Sequence, residues 1–337
     1  MSVGSRIVLA ASLAFAAPAL AGSNDACSSS ARVQYGACKH AVSDDFGIAR
    51  AVCFNEPDAA TRRQCLADAS SERADAADEC REIRAARKEI CEALGPAPHA
   101  PDMSPAGFED PRNPLHPNPW FPLPIGGSWT YSDGSDSNTV TVLDKTKRIA
   151  GIDCLVVEDV ENAGSGAVEQ TFDWFATRTN ADIVYCGEDT RELQTFPGDD
   201  PMELELVSRE GSFKAGVDGA KAGTLFLGSP TVGATVRQEW APSEAEDIGE
   251  VLSTTYRFGQ SADLDTAVPA ALAQLLCAAG DCVVIEETTP IEPDALERKY
   301  YARGVGMFLE VDLEETPSAR PLVACNVDAR CAQLPTP

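Results

Sequence analysis

The sequence predicts a mainly β fold: an antiparallel sheet curved into a half-barrel or barrel, preceded by an α-helical hairpin stapled by disulfides. Three observations carry this expectation. Six cysteines near the N-terminus are spaced as a palindrome, a proline-rich run follows them, and beyond residue 118 the apolar residues recur at the period of a strand.

At the N-terminus, Arg6 precedes an apolar stretch from Ile7 to Leu20 that ends Ala19-Leu20-Ala21. This is the pattern of a secretory signal and is too short to span a bilayer. Residues 1–21 are expected to be cleaved after Ala21, and no Cys follows directly to carry a lipid anchor. No later run is long and apolar enough to span a membrane. The expected destination is the periplasm or the medium. All 12 Cys lie beyond the signal, and an even number in an oxidising compartment reads as up to six disulfides. With 53 Asp+Glu against 27 Lys+Arg, the net charge of −26 argues against nucleic acid or an anionic membrane surface as partner. It is consistent with solubility outside the cell.

Residues 24–94 carry Cys27, Cys38, Cys53, Cys65, Cys80 and Cys91, with steps of 11, 15, 12, 15 and 11. Folding the chain at residue 59 pairs Cys53 with Cys65, Cys38 with Cys80 and Cys27 with Cys91. The steps of 11 and 15 residues are close to whole helical turns, so the Cys of each arm share one face. Cys38, Val42, Phe46, Ala49 and Cys53 form one apolar stripe; Ala69, Ala76, Ile83 and Ile90 form another. The remaining second-arm residues, among them Glu72, Arg73, Asp75, Asp78, Glu79, Arg84, Arg87 and Lys88, are expected on a solvated face. Pro57 in the Asn55–Asp58 turn ends the first helix, and Asp58 can start the next. Helices packed about 8–10 Å apart bring facing Cα atoms within disulfide range. The layout is similar to that of the coiled-coil-helix-coiled-coil-helix proteins, although their twin C-x9-C spacing is not met here.

Residues 95–117 form a linker. Ten Pro fall between Gly95 and Pro124, a composition that predicts an extended, semi-rigid connector. Its end, Asn118-Pro-Trp-Phe-Pro-Leu-Pro, is aromatic enough to lie against the next unit as its first edge. Residues 118–337 are expected to form the β domain. Period-two segments begin at Ser128, Thr139, Cys154, Thr171, Asp182, Thr235, Val251, Cys282, Arg298 and Val305, separated by Gly- and Asp-containing turns. Pro269–Ala279 is the best helical segment. Many short alternating strands point to a sheet that closes or curves to protect its edges.

Several motifs in residues 118–312 resemble, in order, those of a group of uncharacterised secreted bacterial proteins. They are the Asn118 run with Gly127-Ser-Trp-Thr-Tyr, Asp173-Trp-Phe-Ala, Ile183-Val-Tyr-Cys-Gly-Glu-Asp and Gly211-Ser-Phe-Lys-Ala-Gly-Val-Asp-Gly-Ala. Arg237-Gln-Glu-Trp, Ala245-Glu-Asp and Tyr300-Tyr-Ala-Arg-Gly-Val-Gly follow. The hairpin lies outside the resemblance, and Cys186 stands where the group carries Phe. More loosely, the strands are similar to the half-barrels of lipoprotein carriers such as LolA. What these resemblances imply is a fold. Cys186 is expected to pair with Cys154, Cys277 with Cys282, and Cys325 with Cys331.

For chemistry the sequence offers little. His40 lies in the hairpin, and His99 and His116 lie in the linker. A Ser-His-Asp or Cys-His mechanism in the β domain would need the linker to fold back. His-based metal sites fall with it, no nucleophile or phosphate-loop motif is present, and neither metal nor cofactor is expected. Asp133-Gly-Ser-Asp136-Ser-Asn138 has oxygen ligands but not the register of a calcium loop, and reads as a β-turn. Carboxylates at Asp173, Glu188, Asp189, Glu244, Glu246 and Asp247 could do acid–base work. Aromatics on strands, chiefly Trp174, Tyr185 and Tyr300, with Glu188 beside them, are the candidate binding residues; Phe172 and Tyr301 adjoin them. The expected function is a non-catalytic binding protein whose β domain holds an apolar ligand or a protein partner. The alternatives are a structural or interaction protein of the envelope and, third, a carboxylate-dependent hydrolase.

Overall fold

A computed structural model describes residues 25–162, 167–314 and 316–335; the signal segment 1–21 lies outside them. Two antiparallel helices, α1 (Ala26–Phe54) and α2 (Ala59–Leu94), form the hairpin. Asp25 and Asp58 cap their N-termini through side-chain oxygens that accept from backbone N–H groups. The disulfides Cys27–Cys91, Cys38–Cys80 and Cys53–Cys65 join the arms at Cα separations of 5.6, 5.9 and 5.5 Å. The palindromic spacing thus corresponds to the pairing that two facing helices permit.

One residue of α2 departs from its expected place. Arg87 is not on the solvated face but is 5% exposed. It lies seven residues after Cys80 and four before Cys91, so it continues the disulfide face of the helix. There its Nε and Nη2 donate to Glu246 at 3.0 and 2.6 Å, in a buried two-point ion pair. This pair anchors the hairpin to the β unit.

The β unit is one antiparallel meander. Its strands are β1 (Ser128–Ser132), β2 (Ser137–Ile149), β3 (Ile152–Asn162), β4 (Val168–Thr177), β5 (Ile183–Gln194), β6 (Glu205–Ser208) and β7 (Lys221–Phe226). Two short strands, β8 (Thr235–Arg237) and β9 (Glu239–Trp240), precede β10 (Ile248–Tyr256), β11 (Cys282–Thr288), β12 (Leu296–Ala302), β13 (Gly306–Asp312) and β14 (Ser318–Cys325). A short helix, α3 (Ala270–Leu276), falls in the segment expected to be helical. The first and last strands pair, with Trp129 opposite Cys325. On the other side β8 pairs with β10 and β9 with β7, so the run Thr235–Trp240 joins the two remaining edges. The sheet is therefore a nearly closed barrel.

Period-two alternation sorts the side chains into two layers. Trp129, Tyr131, Val142, Leu155, Val157, Phe175 and Tyr185 face inward. Ile149, Ile152, Cys154, Val156, Trp174, Ala176 and Cys186 form an outer layer. Cys154–Cys186 spans β4 on that outer face, while Cys277–Cys282 and Cys325–Cys331 close short loops.

The proline-rich linker does not run free. Met103 and Phe108 cover the outer layer, Glu109 N donates to Thr177 O at 2.9 Å, and His99 Nε2 donates to Ala222 O at 2.8 Å. An apolar outer face on the sheet needs a cover, and the linker supplies it. Nor does the Asn118–Pro124 run become an edge strand. Asn118 is buried and its Oδ1 accepts from the backbone N–H groups of Trp120 and Phe121. This turn directs Phe121 into the barrel, against Phe175, Phe226 and Tyr301. With prolines at 117, 119, 122 and 124 the segment cannot supply a full ladder of N–H donors, so it plugs the barrel end instead.

Closure depends on a close backbone approach. A Cβ placed on Gly223 of β7 would lie 2.0 Å from Gln238 O. Gly223→Ala is therefore expected to destabilise the protein by about 1–3 kcal/mol in denaturant unfolding; an unchanged midpoint would show that this approach is not required. Arg87→Met strands the Glu246 charge and is expected to cost about 3–5 kcal/mol, much of it recovered in Arg87→Met/Glu246→Gln. Equal losses in the single and double variants would contradict the buried pair.

Candidate functional site

Inside the barrel lies a cavity of about 230 Å³. Phe121, Trp129, Val140, Val157, Phe175 and Met307 make it apolar over most of its wall. Two polar edges of this wall are tied to the backbone: Trp129 Nε1 donates to Val305 O at 2.6 Å, and Tyr131 OH to Met307 O at 3.0 Å. The aromatic wall is thereby rigid and presents carbon to the cavity.

Charged side chains form the other part of the lining. Lys299 of β12 projects inward because it is two residues from Tyr301, which shares its face. Its Nζ lies 2.5 Å from Glu287 Oε2, 3.5 Å from Glu297 Oε2 and 3.8 Å from Glu310 Oε2. Although burial disfavours the ammonium, the fields of these three carboxylates hold its pKa well above the ordinary lysine value. Glu287 in turn accepts from Gln238 Nε2 at 2.7 Å. The residue at the barrel's closure thus also orients the lysine's main partner.

Around this ion pair stand carboxyls that burial drives toward their neutral forms. Asp159 accepts from Asn138 Nδ2 at 2.7 Å, yet desolvation and the field of Asp173 raise its pKa to about 8. Asp173 and Glu188 are opposite one another on β4 and β5. Tyr185 OH donates to Asp173 Oδ1 and lies within hydrogen-bonding reach of Glu188. Burial first, then mutual repulsion for Asp173, pushes both carboxyls well above the usual range. Asn138 Oδ1 faces the cavity region buried and without a hydrogen-bond partner among the described residues. A second, acidic hollow of about 510 Å³, lined by Glu188, Glu239, Asp247, Glu287 and Glu297, shares Glu287 with the cavity wall. Burial raises the pKa values of Glu239 and Asp247, the latter to about 6.

Of the candidate binding residues, the structure brings Tyr185 and Glu188 together with Asp173 at the lumen. Trp174 points the opposite way, into the outer layer, with Lys147 Nζ 3.3 Å from its ring centroid. Tyr300 also turns away from the cavity: it packs on Tyr256 and Phe308 and donates to Leu264 O at 2.8 Å. Its neighbour Tyr301 lines the cavity instead. Phe172 supports the outer layer. Among the other carboxylates considered, Asp189 is held by Arg191 and Arg209, and Glu246 by Arg87. The carboxylate of Asp133 accepts from the N–H groups of Ser135 and Asp136 at 2.8 and 3.0 Å, so its oxygen serves the turn itself.

Lys299, Asp159, Glu287 and Glu310 were not singled out from the sequence, and Tyr301 was named only beside Tyr300. The available signal was alternation: Glu297, Lys299 and Tyr301 share one face of β12, and Glu310 stands opposite Lys299 on β13. Comparison with known proteins brings no further constraint: no protein-family model, curated protein or solved structure matches the chain.

The lumen acids set a pH dependence. Folding raises their pKa values, so the folded state binds more protons than the unfolded state between about pH 4 and the folded values, which reach about 8 for Asp159. Stability is therefore expected to fall as pH rises through this window. Thermal melts between pH 5 and 8.5 should show a declining Tm, with a shallower decline in Asp159→Asn. A Tm that climbs across the same range would contradict neutral acids in the lumen.

Proposed function

We propose that this is an exported, non-catalytic binding protein whose barrel lumen holds a small amphiphilic molecule. The observation that carries the reading is the division of one cavity into a carbon-lined wall and a charged belt around Lys299. Ligand sites are concave, mainly apolar and oriented by a few placed polar groups. A volume of about 230 Å³ suits a modest ligand or the end of a longer one. Asp159 and Asp173, which burial drives toward the neutral acid, the carboxyl partners of Lys299 and the unpaired Asn138 oxygen favour a hydrogen-bonding head group that is uncharged or cationic. Six disulfides fit residence in an oxidising compartment.

A carboxylate-dependent hydrolase is the second reading, favoured by Asp173 and Glu188 meeting at one tyrosine hydroxyl. Turnover of a glycoside panel that disappears in Glu188→Gln would establish it in place of the first.

Native mass spectrometry of the protein from an oxidising compartment, before and after solvent extraction, tests the binding reading. An extractable ligand mass is expected, and Val140→Trp, which fills the cavity, should abolish it. A bare protein that also takes up no added alkyl alcohol or alkylamine would overturn the proposal, as would a ligand retained in Val140→Trp.

A further inference from the structure

A second concavity lies outside the barrel. The hairpin, the linker and strands β7 to β9 enclose a crevice of about 750 Å³. Its character is opposite to that of the chain as a whole. In a protein with a net charge of −26, this crevice gathers Arg87, Arg237, Lys221 and Arg178. Its acids are already engaged. Glu246 has one oxygen on Arg87 Nε and the other on Arg87 Nη2 and Ser243 N. Asp182 accepts from Gly228 N and Asn180 Nδ2, and Asp102 from Ser104.

The cations are not equally engaged. Arg87 is neutralised by Glu246. Lys221 Nζ donates to His99 O and stands 5.1 Å from the Trp240 ring centroid. Arg178 donates to Asp102 O and covers Phe108. The Arg237 guanidinium accepts no such arrangement: no described residue takes a hydrogen bond or forms an ion pair with it. It is half-buried; burial first, and the field of Arg87 to a smaller degree, act against its charge, while the field of Glu246 supports it. A half-buried guanidinium with no protein acceptor keeps its donors available, and five N–H donors in a fixed fork match an oxyanion. His99, whose imidazole burial holds below its ordinary pKa, adds no competing acceptor charge. Beside the cation, Ile90, Leu94 and Trp240 offer apolar surface.

We propose that this crevice is a binding site for an oxyanion, a carboxylate or phosphate group, held by Arg237 with Lys221 in support. The oxyanion is either a free ion or the head of a small molecule whose apolar part lies on Ile90, Leu94 and Trp240. The site is separate from the lumen and does not rest on the lumen's ligand.

Isothermal titration calorimetry of the disulfide-intact protein with inorganic phosphate, octanoate and octylammonium tests this. Saturable binding of an anion is expected, without competition from octylammonium. Arg237→Gln should weaken it by about tenfold or more, and Arg237→Lys by less. Octanoate binding more tightly than phosphate identifies an amphiphilic anion, and comparable affinities identify the free ion. If Arg237→Gln does not fold, Lys221→Gln reads the same site from the adjoining strand and should also weaken binding. Val140→Trp, which blocks the lumen, should leave the anion affinity unchanged. The proposal fails if neither anion binds saturably, if Arg237→Gln binds as the wild type does, or if Val140→Trp removes the binding.

Discussion

A curved antiparallel sheet must find partners for its two outermost strands, and in this chain both find them in one six-residue run. Thr235–Arg237 pairs with β10, Glu239–Trp240 pairs with β7, and Gln238 between them belongs to neither ladder. The buried Gln238 side chain is then free to turn inward, where it donates to Glu287 and to Leu225 O. The backbone on either side has room to close because Gly223 and Gly249 carry no side chain where Gln238 passes. Enclosure of the cavity, exclusion of water from its acids and orientation of Glu287 against Lys299 all follow from that closure.

Burying so many carboxyls would be untenable if all were ionised. The lumen divides them into two kinds. Glu287, Glu297 and Glu310 share Lys299. Asp159, Asp173 and Glu188 have hydrogen bonds but no cation of their own within the cluster, and are driven toward the neutral acid. Neutral acids can both donate and accept, so the belt offers a ligand more than repulsion. The anion crevice lies outside this system, with Gln238 facing the lumen and Arg237, one residue earlier, facing the hairpin.

The hairpin was legible because covalent pairing leaves a numerical trace: a symmetric set of spacings has a fold point, and helical periodicity then gives each Cys a partner. The barrel was legible as a class because alternation is a local property. Three strands escaped notice. β6 is four residues long and exposes its two apolar residues, Leu206 and Val207, β7 carries Gly223 in its middle, and β14 carries Pro321, all departures from the strand pattern forced by an edge, a close approach and a bulged register. The site was only half legible. Alternation shows that Tyr300 and Tyr301 face opposite ways but not which way is inward, because both faces of β12 are covered: one by the lumen, the other by the region around Leu264 and Tyr256. The same ambiguity turned Trp174 outward. Arg87 and Glu246, 159 residues apart, could be joined only by the fold.

The seam between β1 and β14 has a further meaning. Because the first strand waits for the last, the barrel cannot close while the chain is still incomplete, even though most of its strands pair with sequence neighbours. Such topologies fold slowly. Six disulfides suggest an oxidising environment for this chain. The helical hairpin, whose three disulfides all lie within its own residues, can be oxidised and compact before the strands behind it have paired.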